Sequence, residues 1–219
     1  YATFTKTTEL RVIGGAIVRL EITPASYSIE AGAKQSYEVT AYDAADNEYN
    51  VTSSTVFTTA GDHGGSWKAN TYTSAKTGTW TITATWTVTG TSTRLTATAS
   101  LTVTATEAGI DHYHVESASY TQKAGMPFSL IVTAHDKYNN VVMTGSVSVT
   151  LSSSSARVLF DANGDNVFDD ATMTLTNGAF SITAKGTVAA SGITIIATDT
   201  NKKTGTSSST YTFAPDSAN

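Results

Sequence analysis

From Thr79 to Val88 the chain alternates without a break: Trp80, Ile82, Ala84, Trp86 and Val88 fall on one side and threonines on the other. A period of two puts successive side chains on opposite faces of an extended backbone, so this segment predicts a strand with one apolar face. After the polar stretch Thr89–Arg94 the alternation resumes through Leu95, Ala97, Ala99, Leu101 and Val103. The pair predicts a long antiparallel hairpin that supplies the last two strands of a sandwich, with Trp80 and Trp86 in its core. No stretch long enough for a helix carries apolar residues at i, i+3 and i+4. The expected fold class is all-β.

Sliding the chain against itself by about 93 residues reveals an internal duplication. Ala25-Ser26-Tyr27 falls on Ala118-Ser119-Tyr120, Ala31-Gly32 on Ala124-Gly125, and Val39-Thr40-Ala41 on Val132-Thr133-Ala134. Asp43 falls on Asp136 and Asn47 on Asn140. Roughly 12 of about 31 positions agree at this one offset. Ala-Gly provides a tight turn between strands, and Asp-x-x-x-Asn closes the next strand with a turn capped by its own side chains. The predicted organisation is an extended arm (residues 1–15), a first sandwich (16–106), a short linker (107–109), a second sandwich (110–214) and a tail (215–219). A linker this short predicts a stiff, rod-like pair.

Composition narrows the partners. The chain of 219 residues is 40% hydrophobic, enough for two small cores, but only 14% charged. Roughly 30% is Thr or Ser, side chains that tolerate both water and a pleated surface. A formal charge of −5, with no Lys/Arg cluster, argues against nucleic acid. Apolar runs such as Ile193–Ala197 are too short for membrane insertion by a helix. With no cysteine, disulfides and thiolate metal sites are excluded. A chain beginning at Tyr1 rather than Met matches either a secreted protein freed of its signal peptide or a piece trimmed from a longer chain; an extracellular, cell-surface location is expected.

The segment Leu20–Gly32, LEITPASYSIEAG, resembles the bacterial and archaeal immunoglobulin-like repeats, as do DAADNEYNVTSST and AKTGTWTITAT further along. The second half is similar to a sister group, through AGMPFSLIVTAHDKYNN at Ala124–Asn140 and ITIIATDT at Ile193–Thr200. The resemblance implies a tandem pair of immunoglobulin-like β-sandwiches. Such modules serve surface-layer proteins, adhesins, filaments and secreted polysaccharide enzymes, mainly as spacers or assembly units. The family's usual Gly before Asn is Asp46 or Asn139 here; both residue types tolerate the left-handed conformation, so the turn is expected to survive.

Asp161-Ala-Asn163-Gly-Asp165-Asn-Val-Phe-Asp169-Asp170 is the densest chemistry in the chain. Oxygen donors at alternate positions suit a hard cation, so Asp161, Asn163, Asp165, Asp169, Asp170 and the Val167 carbonyl are candidate Ca²⁺ ligands. Asn166 stands where a helix-flanked calcium loop has Gly, and Thr172 where it has Glu, while the flanks read as strands. The alternatives are a calcium-stapled β-hairpin and a solvated acidic turn. His112, His114 and His135 raise a zinc site; the duplication sets them on Arg19, Glu21 and Tyr42, which favours exposed, outward-facing histidines. Trp67 in its Gly-rich loop, with Tyr72, is a candidate sugar-stacking platform for cell-surface glycans. Asn50-Val-Thr52 is an N-glycosylation sequon. No nucleophile elbow, zinc-protease helix or phosphate-cradling loop is present, so a non-enzymatic protein is expected. In the arm, Phe4, Leu10 and Val12 share one face of an extended reading, followed by Gly14-Gly15. An isolated strand needs a sheet edge. The arm therefore folds back on the first sandwich, belongs to a preceding domain of a longer chain, or is donated to an identical subunit, building a filament.

Overall fold

The computed structural model describes residues 15–105, 109–143 and 146–215. They divide into two compact units, the first comprising residues 15–29 and 33–103 and the second residues 30–32 and those described from 104 on. Each is a stack of largely antiparallel sheets, the second unit holding a parallel pair in which Thr121–Lys123 runs beside Thr212–Ala214. Among the described residues the only helical turn is a 3-10 turn at Thr52–Ser54.

The first unit contains β1 (Ile17–Thr23), β2 (Ser26–Glu30), β3 (Lys34–Ser36), β4 (Glu38–Asp43) and β5 (Glu48–Asn50). It continues with β6 (Val56–Thr59), β7 (Ser66–Lys68), β8 (Thr71–Thr73), β9 (Gly78–Thr87) and β10 (Arg94–Thr104). Three sheets result, in the orders β1-β4-β5, β2-β10-β9-β6 and β3-β8-β7. The expected hairpin is β9–β10, with Trp80 opposite Leu101, Ile82 opposite Ala99, Ala84 opposite Ala97 and Trp86 opposite Leu95. Same-face apolar pairs at every second rung bury the middle of the ladder, where Ile82, Ala84, Trp86, Ala99, Leu101 and Val103 are buried. Trp80 departs from the core placement expected for it. It lies at the rim, half-buried, donating its indole N–H to the Lys76 carbonyl at 3.0 Å. Trp86 is inside and donates to the Ser54 hydroxyl at 3.0 Å.

The second unit contains β11 (His112–Glu116), β12 (Thr121–Lys123), β13 (Pro127–His135), β14 (Ser148–Ser153), β15 (Val158–Asp161) and β16 (Thr172–Thr174). It closes with β17 (Ala179–Gly186), β18 (Ala190–Ile193), β19 (Ile195–Asp199), β20 (Thr204–Thr206) and β21 (Tyr211–Ala214). Its sheets are β11-β13-β17-β15, β16-β14-β19-β20 and β12-β21-β18. Between them lies one core that includes Tyr113, Val115, Leu130, Val132, Leu151, Ile182, Ile195, Tyr211 and Phe213.

The duplication extends to hydrogen-bond register. Arg19 faces Tyr42 across β1–β4 as His112 faces His135 across β11–β13, and Ile22 faces Val39 as Val115 faces Val132. The left-handed turn residues also match, with Asp46 at φ 60° and Asn139 at φ 66°. The units differ beyond that point: β4 pairs next with β5, whereas β13 pairs next with β17.

Candidate functional site

Strand β11 turns Tyr113 and Val115 into the core, which sends His112 and His114 to the opposite face of the sheet. His135, at the end of β13, joins them there through its pairing with His112. The three rings gather into one cluster, with centroids 4.1 Å apart for His114 and His135, 5.3 Å for His112 and His114, and 5.6 Å for His112 and His135. The face is as expected but the exposure is not. His135 is only 8% exposed, and the other two are half-buried. Alternation alone would have left His135 in solvent; the two neighbouring imidazoles and the turn that follows cover it. Burial lowers the His135 pKa, reinforced by repulsion from His114 and His112 and opposed by its contact with the Asn139 carbonyl.

Each Nδ1 of the cluster faces an oxygen. His135 Nδ1 lies 3.1 Å from the Asn139 carbonyl and His112 Nδ1 lies 3.3 Å from Asp111 Oδ2. His114 Nδ1 is 4.0 Å from Glu116 Oε1, an ion-pair distance rather than a hydrogen bond. His112 Nε2 lies 3.2 Å from the Asn139 side-chain oxygen. Asp111, Glu116 and Asn139 were not nominated from the sequence. The signal for them lies in the H-x-H pattern of β11 read together with the cross-strand partner that the duplication supplies.

The acidic segment folds on itself. Asp161, only 4% exposed, accepts the Gly164 N–H at 2.7 Å and the Asn166 N–H at 3.0 Å. Asp165 accepts from Val167 N at 2.7 Å and from the Asn163 amide at 3.1 Å, and Asp170 accepts from Ala162 N at 2.5 Å. The carboxylates thus cap the donors of their own loop. The flanking strands do not form the expected hairpin: β15 pairs with β17, and β16 pairs with β14 in a different sheet. The loop crosses between sheets, so an ion there would tie two layers together rather than staple two arms. Among the described residues, the one group of three or more His, Asp or Glu whose ligand atoms approach within metal-binding range is the histidine cluster.

The expected sugar platform is corrected by burial. Tyr72 is fully buried and presents no face to a pyranose ring. Trp67 is half-buried and stacked on Phe57 at 5.3 Å, with Tyr72 at 5.1 Å and Tyr37 at 5.9 Å. Its indole N–H donates to the Thr59 hydroxyl at 3.0 Å. The Gly-rich loop therefore closes a small aromatic core instead of displaying one. Asn50 is exposed at the end of β5, its side-chain oxygen accepting the Thr52 N–H at 3.0 Å. Phe4, Leu10 and Val12, the residues expected to drive assembly, lie outside the described residues.

No protein-family model and no curated protein matches the chain. Solved structures similar to it include the adhesin InvE of Yersinia pseudotuberculosis, 18% identical over 91% of this chain and 60% of that one, with a TM-score of 0.39. The D00-D0 domain of intimin is 12% identical over 89% of this chain and 99% of that one, with a TM-score of 0.45. A β-glucuronidase of Parabacteroides merdae is 10% identical over 87% of this chain and 24% of that one, with a TM-score of 0.37. The chain thus spans less than two thirds of the adhesin and about a quarter of the glucuronidase. At these identities and scores the likenesses decide nothing about what this chain does.

Proposed function

We propose that the chain is a non-catalytic structural module of an extracellular, cell-surface assembly, a tandem immunoglobulin-like unit of a filament, surface layer or adhesin stalk. The observation that carries this reading is how the polar residues are spent. They form hydroxyl ladders across sheet faces, as in Thr150 with Thr172 at 2.8 Å and Ser36 with Thr71 at 2.8 Å, and they cap turns through Asp43, Asp136 and Asp199. Such use makes a duplicated scaffold whose polar side chains are engaged in holding the fold. Donation of residues 1–12 to an identical subunit belongs to the same proposal. The test is negative-stain microscopy and size-exclusion of the intact chain beside a chain lacking Tyr1–Val12. Polymers that vanish with the deletion support donation; assembly unchanged by it removes donation, and a monomer throughout reduces the protein to a spacer.

Calcium at Asp161, Asn163, Asp165, the Val167 carbonyl and Asp169 is a second part of the proposal. Because the loop already caps its own donors, the ion adds stability only through preferential binding to the folded state. Melting in Ca²⁺ against chelator, repeated in Asp165→Asn with Asp169→Asn, decides it. A rise in melting temperature that the double variant loses supports the site, and equal melting leaves a self-capped turn. The competing reading, a carbohydrate-binding module of a secreted polysaccharide enzyme, loses the Trp67–Tyr72 platform on which it rested.

A further inference from the structure

Strand geometry turns the histidine cluster into a three-point donor set. Residues two apart on a strand project from the same face about 6.8 Å apart, and a directly opposed cross-strand neighbour lies about 5 Å away. His112, His114 and His135 occupy those three places, and one ring nitrogen from each falls within 4.8 Å of the others. A tetrahedral ion with bonds of 2.0–2.1 Å needs its donor nitrogens about 3.4 Å apart. An ion would draw the rings of His112 and His114, both half-buried, toward the more deeply held His135 to close that gap. The surrounding oxygens are already arranged for ligation. The Nδ1 atoms of His135 and His112 are turned to the Asn139 carbonyl and Asp111, the orienting pattern of histidine ligands in metal sites, and His112 Nε2 would exchange its contact with the Asn139 side-chain oxygen for the ion.

We propose that His112, His114 and His135 bind one divalent transition-metal ion of the zinc class, leaving one coordination position open to water. Three imidazole donors select zinc, copper or nickel over calcium and magnesium, which take oxygen ligands. The first unit shows that the sheet does not require this set. At the matching positions Arg19 lies over the Tyr42 ring at 3.6 Å, Tyr42 donates to Glu21 at 3.3 Å, and Arg19 also pairs with Glu21 and Asp46. The same scaffold thus holds a self-satisfied ionic cluster in one unit and three convergent imidazoles in the other.

The full chain, stripped with chelator and titrated with ZnCl₂ by calorimetry, is expected to take up about one Zn²⁺ in the presence of excess Ca²⁺. His114→Gln and His135→Ala should each weaken uptake at least tenfold, while His63→Ala in the first unit leaves it unchanged. Zinc should also raise the melting temperature of the native chain but not of His114→Gln. Should His135→Ala fail to fold, His112→Gln and His114→Gln, at half-buried positions, carry the same test. Absent uptake, uptake suppressed by Ca²⁺, or uptake indifferent to these substitutions overturns the site.

Discussion

Asn140 holds the buried carboxylate of Asp136 at two points, donating its backbone N–H to Oδ1 at 2.9 Å and its side-chain amide to Oδ2 at 3.1 Å. The Tyr138 N–H adds a third bond at 2.8 Å. Asp43 and Asn47 repeat the arrangement in the first unit, where Gly15 N also donates to Asp43 at 2.8 Å. Charged carboxylates are buried here because several donors replace the water they lose.

Removing that carboxylate strands its donors. Asp136→Ala is expected to cost at least about 2 kcal/mol, since the Tyr138 N–H and the Asn140 N–H and amide lose a charged acceptor. The Asn47 amide first, then the Gly15 and Asn47 N–H groups, hold the Asp43 carboxyl well below the usual carboxylate range. A depressed folded-state pKa stabilises the fold fully above the unfolded value of about 4 and loses that contribution as pH falls below it. Urea midpoints measured from pH 7 down to pH 2 should therefore fall on the acid side, and Asp43→Asn should flatten that limb. A limb equally steep in the variant would assign the acid sensitivity to other groups.

Tyr37 is fully buried beside Phe57 and Trp67, and its hydroxyl has no hydrogen-bond partner among the described residues. Burial pushes its pKa up to about 12. A hydroxyl desolvated without compensation is a cost that Phe avoids. Tyr37→Phe is expected to be neutral or to stabilise the first unit by up to about 1 kcal/mol, read from thermal melts. A loss beyond about 1 kcal/mol would reveal a bonded hydroxyl.

Trp67→Ala separates packing from recognition. Loss of its contacts with Phe57, Tyr72 and Tyr37 should destabilise the first unit by about 2–3 kcal/mol, with any retention on insoluble polysaccharide unchanged. A variant that melts like the native chain but releases polysaccharide would restore the platform reading.

The strands were legible because their signal is local. Period-two alternation from Thr79 to Val103 needs no tertiary information, and the duplication carried the register of Val115 and Val132 from that of Ile22 and Val39. The Asp-x-x-x-Asn turns were legible for the same reason. A third turn of this kind was hidden: Asp199 accepts the Lys203 N–H at 2.8 Å around Lys202 at φ 64°, with lysines standing where the other turns carry Asp or Asn. The histidine cluster was only half legible. Alternation gave the face, but burial of His135 depends on how imidazoles stack across a strand pair. The partners of β15 and β16 were likewise beyond reach, because adjacency in sequence does not say which sheet a short strand joins.

The passage of β11 across β20 sets the last test. Gly205 lies on β20 opposite Ala197, and a methyl group there would stand 1.8 Å from the Tyr113 backbone oxygen. Just beyond, Val115 bridges Ser207, so the two strands cannot drift apart without giving up that contact. The obstacle is backbone, which cannot rotate away as a side chain would. Gly205→Ala is expected to cost at least about 2 kcal/mol through forced strand separation. Gly192→Ala isolates the purely conformational cost, since Gly192 has φ 72° but nothing within 4 Å of an added methyl, and it should lose only about 1 kcal/mol. Urea melts of the two variants, compared with the native chain, measure the difference. Equal losses would mean that β11 and β20 are not packed as closely as the Tyr113–Gly205 contact requires.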